Sequence, residues 1–149
     1  DSCSTAAIGV ACHEAGHAVQ YAQNYFPIKL RAAIIPITNF GSRLAIPLIL
    51  IGLLFSTLGQ FSQTLIYTGI LFFALSLLFQ LITLPVEYNA SNRALDTIKS
   101  QAILTEDELS GARRTLSAAA LTYVAATAVT LAQLIRLISI FGGRGRRRS

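Results

Sequence analysis

LIYTGILFFALSLLFQLITLPV, residues 65–86, runs without a charged side chain and is followed at once by EYNASNRAL, residues 87–95. A helix that crosses a bilayer needs about 20 consecutive apolar residues, so 65–86 is read as a full-length span that carries Gln80 inside it. Upstream, LAIPLILIGLLFSTL (44–58) is apolar but shorter, and must borrow flanking residues to cross. The linker between the two, STLGQFSQ (56–63), is uncharged and centred on Gly59, which predicts a helical hairpin. Before the hairpin, PIKLRAAIIPITNFGSR (27–43) contains two prolines and a glycine and reads as a broken connector.

Downstream, residues 87–115 hold most of the remaining charge and read as an aqueous segment with helical pieces. Thr105 with Glu108 three positions on has the spacing of a capping box. Residues 116–141, LSAAALTYVAATAVTLAQLIRLISIF, give a third span whose small residues suit close helix packing, with Arg136 able to snorkel near its end. The tail GGRGRRRS (142–149) reads as a basic anchor to the membrane surface rather than a nucleic-acid contact.

Composition agrees with a membrane. Of 149 residues, 53% are hydrophobic and 13% charged, about half the charge of a soluble domain, and the mean hydropathy is +0.57. The expectation is an all-α integral membrane protein: one domain over 1–149, about three transmembrane helices and one interfacial helix. The chain begins at Asp1 with no Met and no basic leader, and we expect an N-terminal part to be missing. Cys3 and Cys12 exclude a disulfide framework but not a single bridge, and read as small packing residues.

The interfacial helix is predicted over 4–24, STAAIGVACHEAGHAVQYAQN, too polar in its second half to face lipid. Within it HEAGH places His13 and His17 four apart on one face, within reach of one metal ion. Glu14 lies on the neighbouring face, where a carboxylate can take a proton from a metal-activated water. This HExxH spacing suits one catalytic Zn2+ per chain and hydrolysis of a peptide bond. The structural alternative is a polar helix face solvated at the membrane surface.

A catalytic zinc takes three protein ligands and leaves a fourth position to water. The chain contains two histidines, so the third ligand should be a carboxylate: Asp1, Glu87, Asp96, Glu106, Asp107 or Glu108. Two spans separate HEAGH from residue 87, so the chain crosses and returns, and Glu87 emerges at membrane level on the HEAGH side. Glu106, Asp107 and Glu108 read as a solvated helix start, and Asp96 as a partner for Arg93. Glu87 is the expected ligand, with a cap for a helix beginning at EYNASNRAL as its structural alternative. The sequence identifies no oxyanion stabiliser: Tyr88 and Arg93 lie near Glu87 and could aid one, but neither is singled out, and Arg93 is read first as the partner of Asp96.

The runs STAAIGVACHEAGHAVQ, NFGSRLAIPL, LFQLITLPVEYNASNRAL and SGARRTLSAAALTYVAA together resemble the bacterial membrane zinc metallopeptidases of the neutral zinc metallopeptidase type. The resemblance implies that His13 and His17 bind zinc and that Glu14 is catalytic. EYNAS is also similar to the ExxA(D) motif of a larger class of integral-membrane metallopeptidases. That similarity implies Glu87 as third ligand and matches Ala90, whereas Ser91 stands where the larger class has an aspartate. A serine hydroxyl can orient a histidine more weakly than a carboxylate would. Relatives of this kind carry a membrane segment and a soluble stretch before the HExxH helix.

The expected function is therefore a zinc-dependent membrane endopeptidase acting on a protein or peptide substrate in a bacterial inner or plasma membrane, with no nucleic-acid partner. Its alternative is a zinc-binding scaffold or fragment without activity. Lys29, Arg31, Arg43, Arg93, Lys99, Arg113 and Arg114 on the active-site side outnumber the basic residues of the tail, which leans toward a cytoplasmic active site.

Overall fold

The computed structural model describes residues 4–142. Asp1, Cys3 and the basic tail from 143 to 149 lie outside the described residues. These form four helices and no strand: α1 (Thr5–Ala22), α2 (Phe26–Leu54), α3 (Gln60–Ser100) and α4 (Glu106–Phe141), with a single 3-10 turn, Ser56–Leu58, between α2 and α3. Three of them, α2, α3 and α4, are long and apolar enough to cross a membrane, and large apolar side chains such as Leu50, Leu71, Leu121 and Ile135 stand exposed along them. In lipid such exposure costs nothing. The protein is an all-α membrane protein.

The expected break over 27–43 does not occur: α2 continues through Pro36 and Pro47. A proline removes one backbone donor, but membrane helices tolerate this where side chains satisfy the freed turn. Just after Pro36, Thr38 Oγ1 donates back to the carbonyls of Ile34 (2.9 Å) and Ile35 (3.1 Å); the carbonyl whose helical donor Pro36 removes is that of Ala32, one turn earlier. Likewise no helix starts at Glu87. Its residue lies inside α3, whose 41 residues extend over about 60 Å at 1.5 Å per residue, twice the hydrocarbon thickness. The span and the segment after it are one helix.

The chain divides into two compact units. The first comprises residues 1–32 and 82–125. In it, the Ser4 side chain caps α1 by accepting from the Ala7 amide, and Asn24 ends the helix with a φ of 56°, a left-handed conformation that asparagine tolerates. Thr105 and Glu108 form the capping box of α4: the Thr105 amide donates to Glu108 Oε2 at 3.0 Å and the Glu108 amide to Thr105 Oγ1 at 3.4 Å. Ile98, Leu109 and Ala112 make a buried cluster against which Ile8, Cys12 and Leu95 pack, so Cys12 is a packing residue.

The second unit comprises residues 33–81 and 126–149. Its helices approach through glycine: a Cβ on Gly69 would fall 2.6 Å from the Ala45 carbonyl oxygen. Ser62 Oγ donates to the Gly52 carbonyl at 2.6 Å, and Gln80 Nε2 donates to Thr130 Oγ1 at 3.0 Å, while Gln80 Oε1 is buried without a hydrogen-bond partner among the described residues. Arg43, counted by sequence with the active-site side, belongs to this unit.

Candidate metal centre

In the first unit α1 lies directly on α3 at Gly16. A Cβ there would come 2.8 Å from the Ala90 carbonyl oxygen and 3.3 Å from its Cα, so the glycine of HEAGH and the alanine of EYNA permit backbone contact. The flanking residues then face each other. His13 Nε2 lies 3.2 Å and His17 Nε2 3.7 Å from the same Glu87 oxygen, Oε2. The two imidazoles stand edge-on with centroids 4.8 Å apart. One ligand atom from each of His13, His17 and Glu87 lies within 4.8 Å of the others.

The two histidine–glutamate separations, 3.2 and 3.7 Å, are near those of a zinc site. Bonds of about 2.0–2.2 Å in tetrahedral geometry put neighbouring donor atoms roughly 3.3 Å apart. Two neutral imidazoles and one carboxylate are also a donor set zinc accepts while keeping a fourth position open. Glu14 is exposed, and a cavity of about 190 Å3 is lined by His13, Glu14, Glu87, Ser91 and Tyr123. A carboxylate, the two facing donors and room for a substrate atom thus share one recess.

Each of the three converging side chains has a further partner. Ser91 Oγ is 3.1 Å from His13 Nδ1, so the serine in the aspartate position does reach the histidine. His17 Nδ1 is 2.9 Å from Gln20 Oε1. Arg31 Nη1 donates to Glu87 Oε1 at 2.9 Å, an ion pair to a carboxylate that is 3% exposed. Arginine thus takes one carboxylate oxygen and leaves the other to the histidines.

Residues 1–142 match the family described as "Putative neutral zinc metallopeptidase". The chain belongs to this family. It is also similar to the "Putative membrane protease YugP" of Bacillus subtilis (strain 168), 47% identical over 138 residues that cover 93% of this chain and 59% of the relative. The chain therefore spans about three-fifths of that relative's length. No solved structure matches it.

In this chain the structure brings together the two histidines and Glu87, with Glu14 on the cavity that His13 and Glu87 line. Neither Tyr88 nor Arg93 lines that cavity. Tyr88 is exposed, and Arg93 donates instead to Asn89 (2.7 Å) and Gln23 (2.7 Å), not to Asp96. Sequence reasoning missed Arg31, Gln20 and Tyr123. Gln20 falls one turn after His17 and could have been flagged as a polar residue on the His face. Arg31 and Tyr123 carry no local signal, because their neighbours come from distant parts of the chain.

Proposed function

We propose that the chain is the catalytic part of a zinc-dependent membrane endopeptidase, with His13, His17 and Glu87 holding one Zn2+ and Glu14 as general base. The observation that carries this is the convergence of three donor atoms beside an exposed Glu14, in a chain of a zinc metallopeptidase family. Bound zinc would polarise a substrate carbonyl and acidify a water, whose pKa can fall to about 7. Glu14 accepts the proton of the attacking water on its carboxylate and can return it to the leaving amine. Arg31 holds Glu87 by Oε1 so that one carboxylate oxygen faces both imidazoles. Tyr123, which lines the same cavity as Glu87 and Glu14, supplies a phenol where a substrate oxygen would gain charge.

The substrate is a protein or peptide presented at the surface of a bacterial cell membrane, in which the chain sits as a multi-pass protein. Lys29, Arg31, Arg93, Lys99, Arg113 and Arg114 share the unit of the histidines, which favours the cytoplasmic side for the active site. In a cysteine-free background, Lys99→Cys should react with an impermeant maleimide in inside-out vesicles; reaction in intact cells would reverse the orientation.

The deciding experiment uses the protein purified in detergent, with zinc per polypeptide and hydrolysis of unfolded casein as readouts. We expect near one zinc in the native chain and in Glu14→Gln, loss of zinc in Glu87→Gln, and casein cleavage by the native chain alone. A native chain without zinc, or Glu87→Gln that keeps it, overturns the ligand assignment. Zinc bound by the native chain and by Glu14→Gln and lost in Glu87→Gln, with no cleavage by the native chain, leaves the non-catalytic scaffold.

A further inference from the structure

Gln20 is fully buried and belongs to neither the histidine pair nor the cavity wall. Its surroundings determine which way its amide points. Arg93 Nε can only donate, and it meets Asn89 at Oδ1 (2.7 Å), so an oxygen of Asn89 faces inward. Gln20 Nε2 sits 3.0 Å from that oxygen and 2.8 Å from the Val86 carbonyl oxygen. Both are acceptors, so the amide nitrogen must be the atom that faces α3. The amide oxygen is then turned toward His17 Nδ1, 2.9 Å away. An amide oxygen only accepts, so Nδ1 carries the proton, and in a neutral imidazole the other nitrogen must hold the lone pair. That nitrogen is Nε2, the atom facing Glu87.

We infer that Gln20 is a positioning residue for His17: held by Val86 and Asn89, its amide oxygen keeps the proton on Nδ1 and points the Nε2 lone pair at the proposed zinc position. The inference rests on the zinc-ligand assignment above, which it deepens by naming the residue that selects the tautomer. His13 differs, because the hydroxyl of Ser91 both donates and accepts and does not by itself choose a tautomer. Arg93 acquires a role here as well, at the far end of the same hydrogen-bonded series.

The test follows the imidazole nitrogens by 15N NMR in the metal-free protein in detergent, about two pH units above the ordinary histidine value, with His13→Gln assigning the two rings. Chelator competition gives zinc affinity alongside. We expect His17 as the Nδ1–H tautomer in the native chain, a shift toward Nε2–H in Gln20→Met, and roughly 10- to 100-fold weaker zinc binding in that variant. Gln20→Glu, which keeps an acceptor oxygen, should retain the Nδ1–H form. An Nε2–H form in the native chain overturns the inference whether or not any variant folds. So does Gln20→Met with the native tautomer, even where zinc affinity falls, since that outcome leaves only a packing role. If the tautomer shifts as expected but the native chain binds no zinc, the zinc assignment fails and the role of Gln20 toward His17 stands.

Discussion

Gly16 of α1 sits against the backbone of Ala90 of α3, so close that one methyl group on the glycine would fall 2.8 Å from the Ala90 carbonyl oxygen. This contact sets the distance between the helices that carry His13 and His17 on one side and Glu87 on the other. Metal-site geometry is sensitive to shifts of a few tenths of an ångström, so the contact governs whether the three donors can converge.

Gly16→Ala therefore forces α1 away from α3. Backbone cannot yield as a flexible side chain would, so the substitution should destabilise the protein by about 1–3 kcal/mol and reduce zinc per polypeptide. Thermal unfolding in detergent and metal analysis of the folded fraction check both. An unchanged zinc content would mean that the helices approach elsewhere.

Ser91 reaches His13 Nδ1 at 3.1 Å. Ser91→Ala should weaken zinc binding roughly 10-fold or more, measured by chelator competition. Ser91→Asp replaces the hydroxyl with a charged acceptor, whose hydrogen bonds are about twice as strong, and should bind zinc at least as tightly as the native chain. A neutral Ser91→Ala would show that His13 is oriented by packing alone.

Arg31 compensates the charge of Glu87, whose side chain is 3% exposed. Arg31→Met should lower the stability of the metal-free chain by about 1.5–3 kcal/mol, the worth of a hydrogen bond to a charged group, read from denaturant unfolding in detergent. Stability unchanged to within a few tenths of a kcal/mol would mean that solvent replaces the guanidinium.

Ala102, between α3 and α4, has a φ of 49°, where an L side chain costs roughly 1–2 kcal/mol. Ala102→Gly removes that cost at a smaller loss of unfolded-state entropy, and should raise the melting temperature without altering zinc content. A fall in melting temperature would contradict the left-handed turn.

Much of the fold was legible because its rules are local. Residues 65–86 and 116–141 declare spans by length and absence of charge, and HEAGH declares two side chains on one helix face. Thr105 and Glu108 announce the start of α4 within four residues. The reading of 27–43 as a broken connector failed for a physical reason: proline ends helices in water, where a freed carbonyl can be hydrated and the chain can turn away. In a membrane-spanning helix no water waits to hydrate the backbone of a broken turn, so continuing the helix through the proline forfeits one hydrogen bond where a break would forfeit several.

By itself the sequence determined the helical class, three apolar spans and the choice of His13, His17 and Glu87 as the donor candidates, since each follows from residue type, period and crossing parity. Tertiary structure alone decided what surrounds them. Arg31 meets Glu87 from 56 positions away in the chain, and Gln20 meets Val86 from 66 positions away. Such pairings depend on how closely and in what register two helices pack, and that is set by the contact of Gly16 with Ala90 rather than by any pattern along the chain.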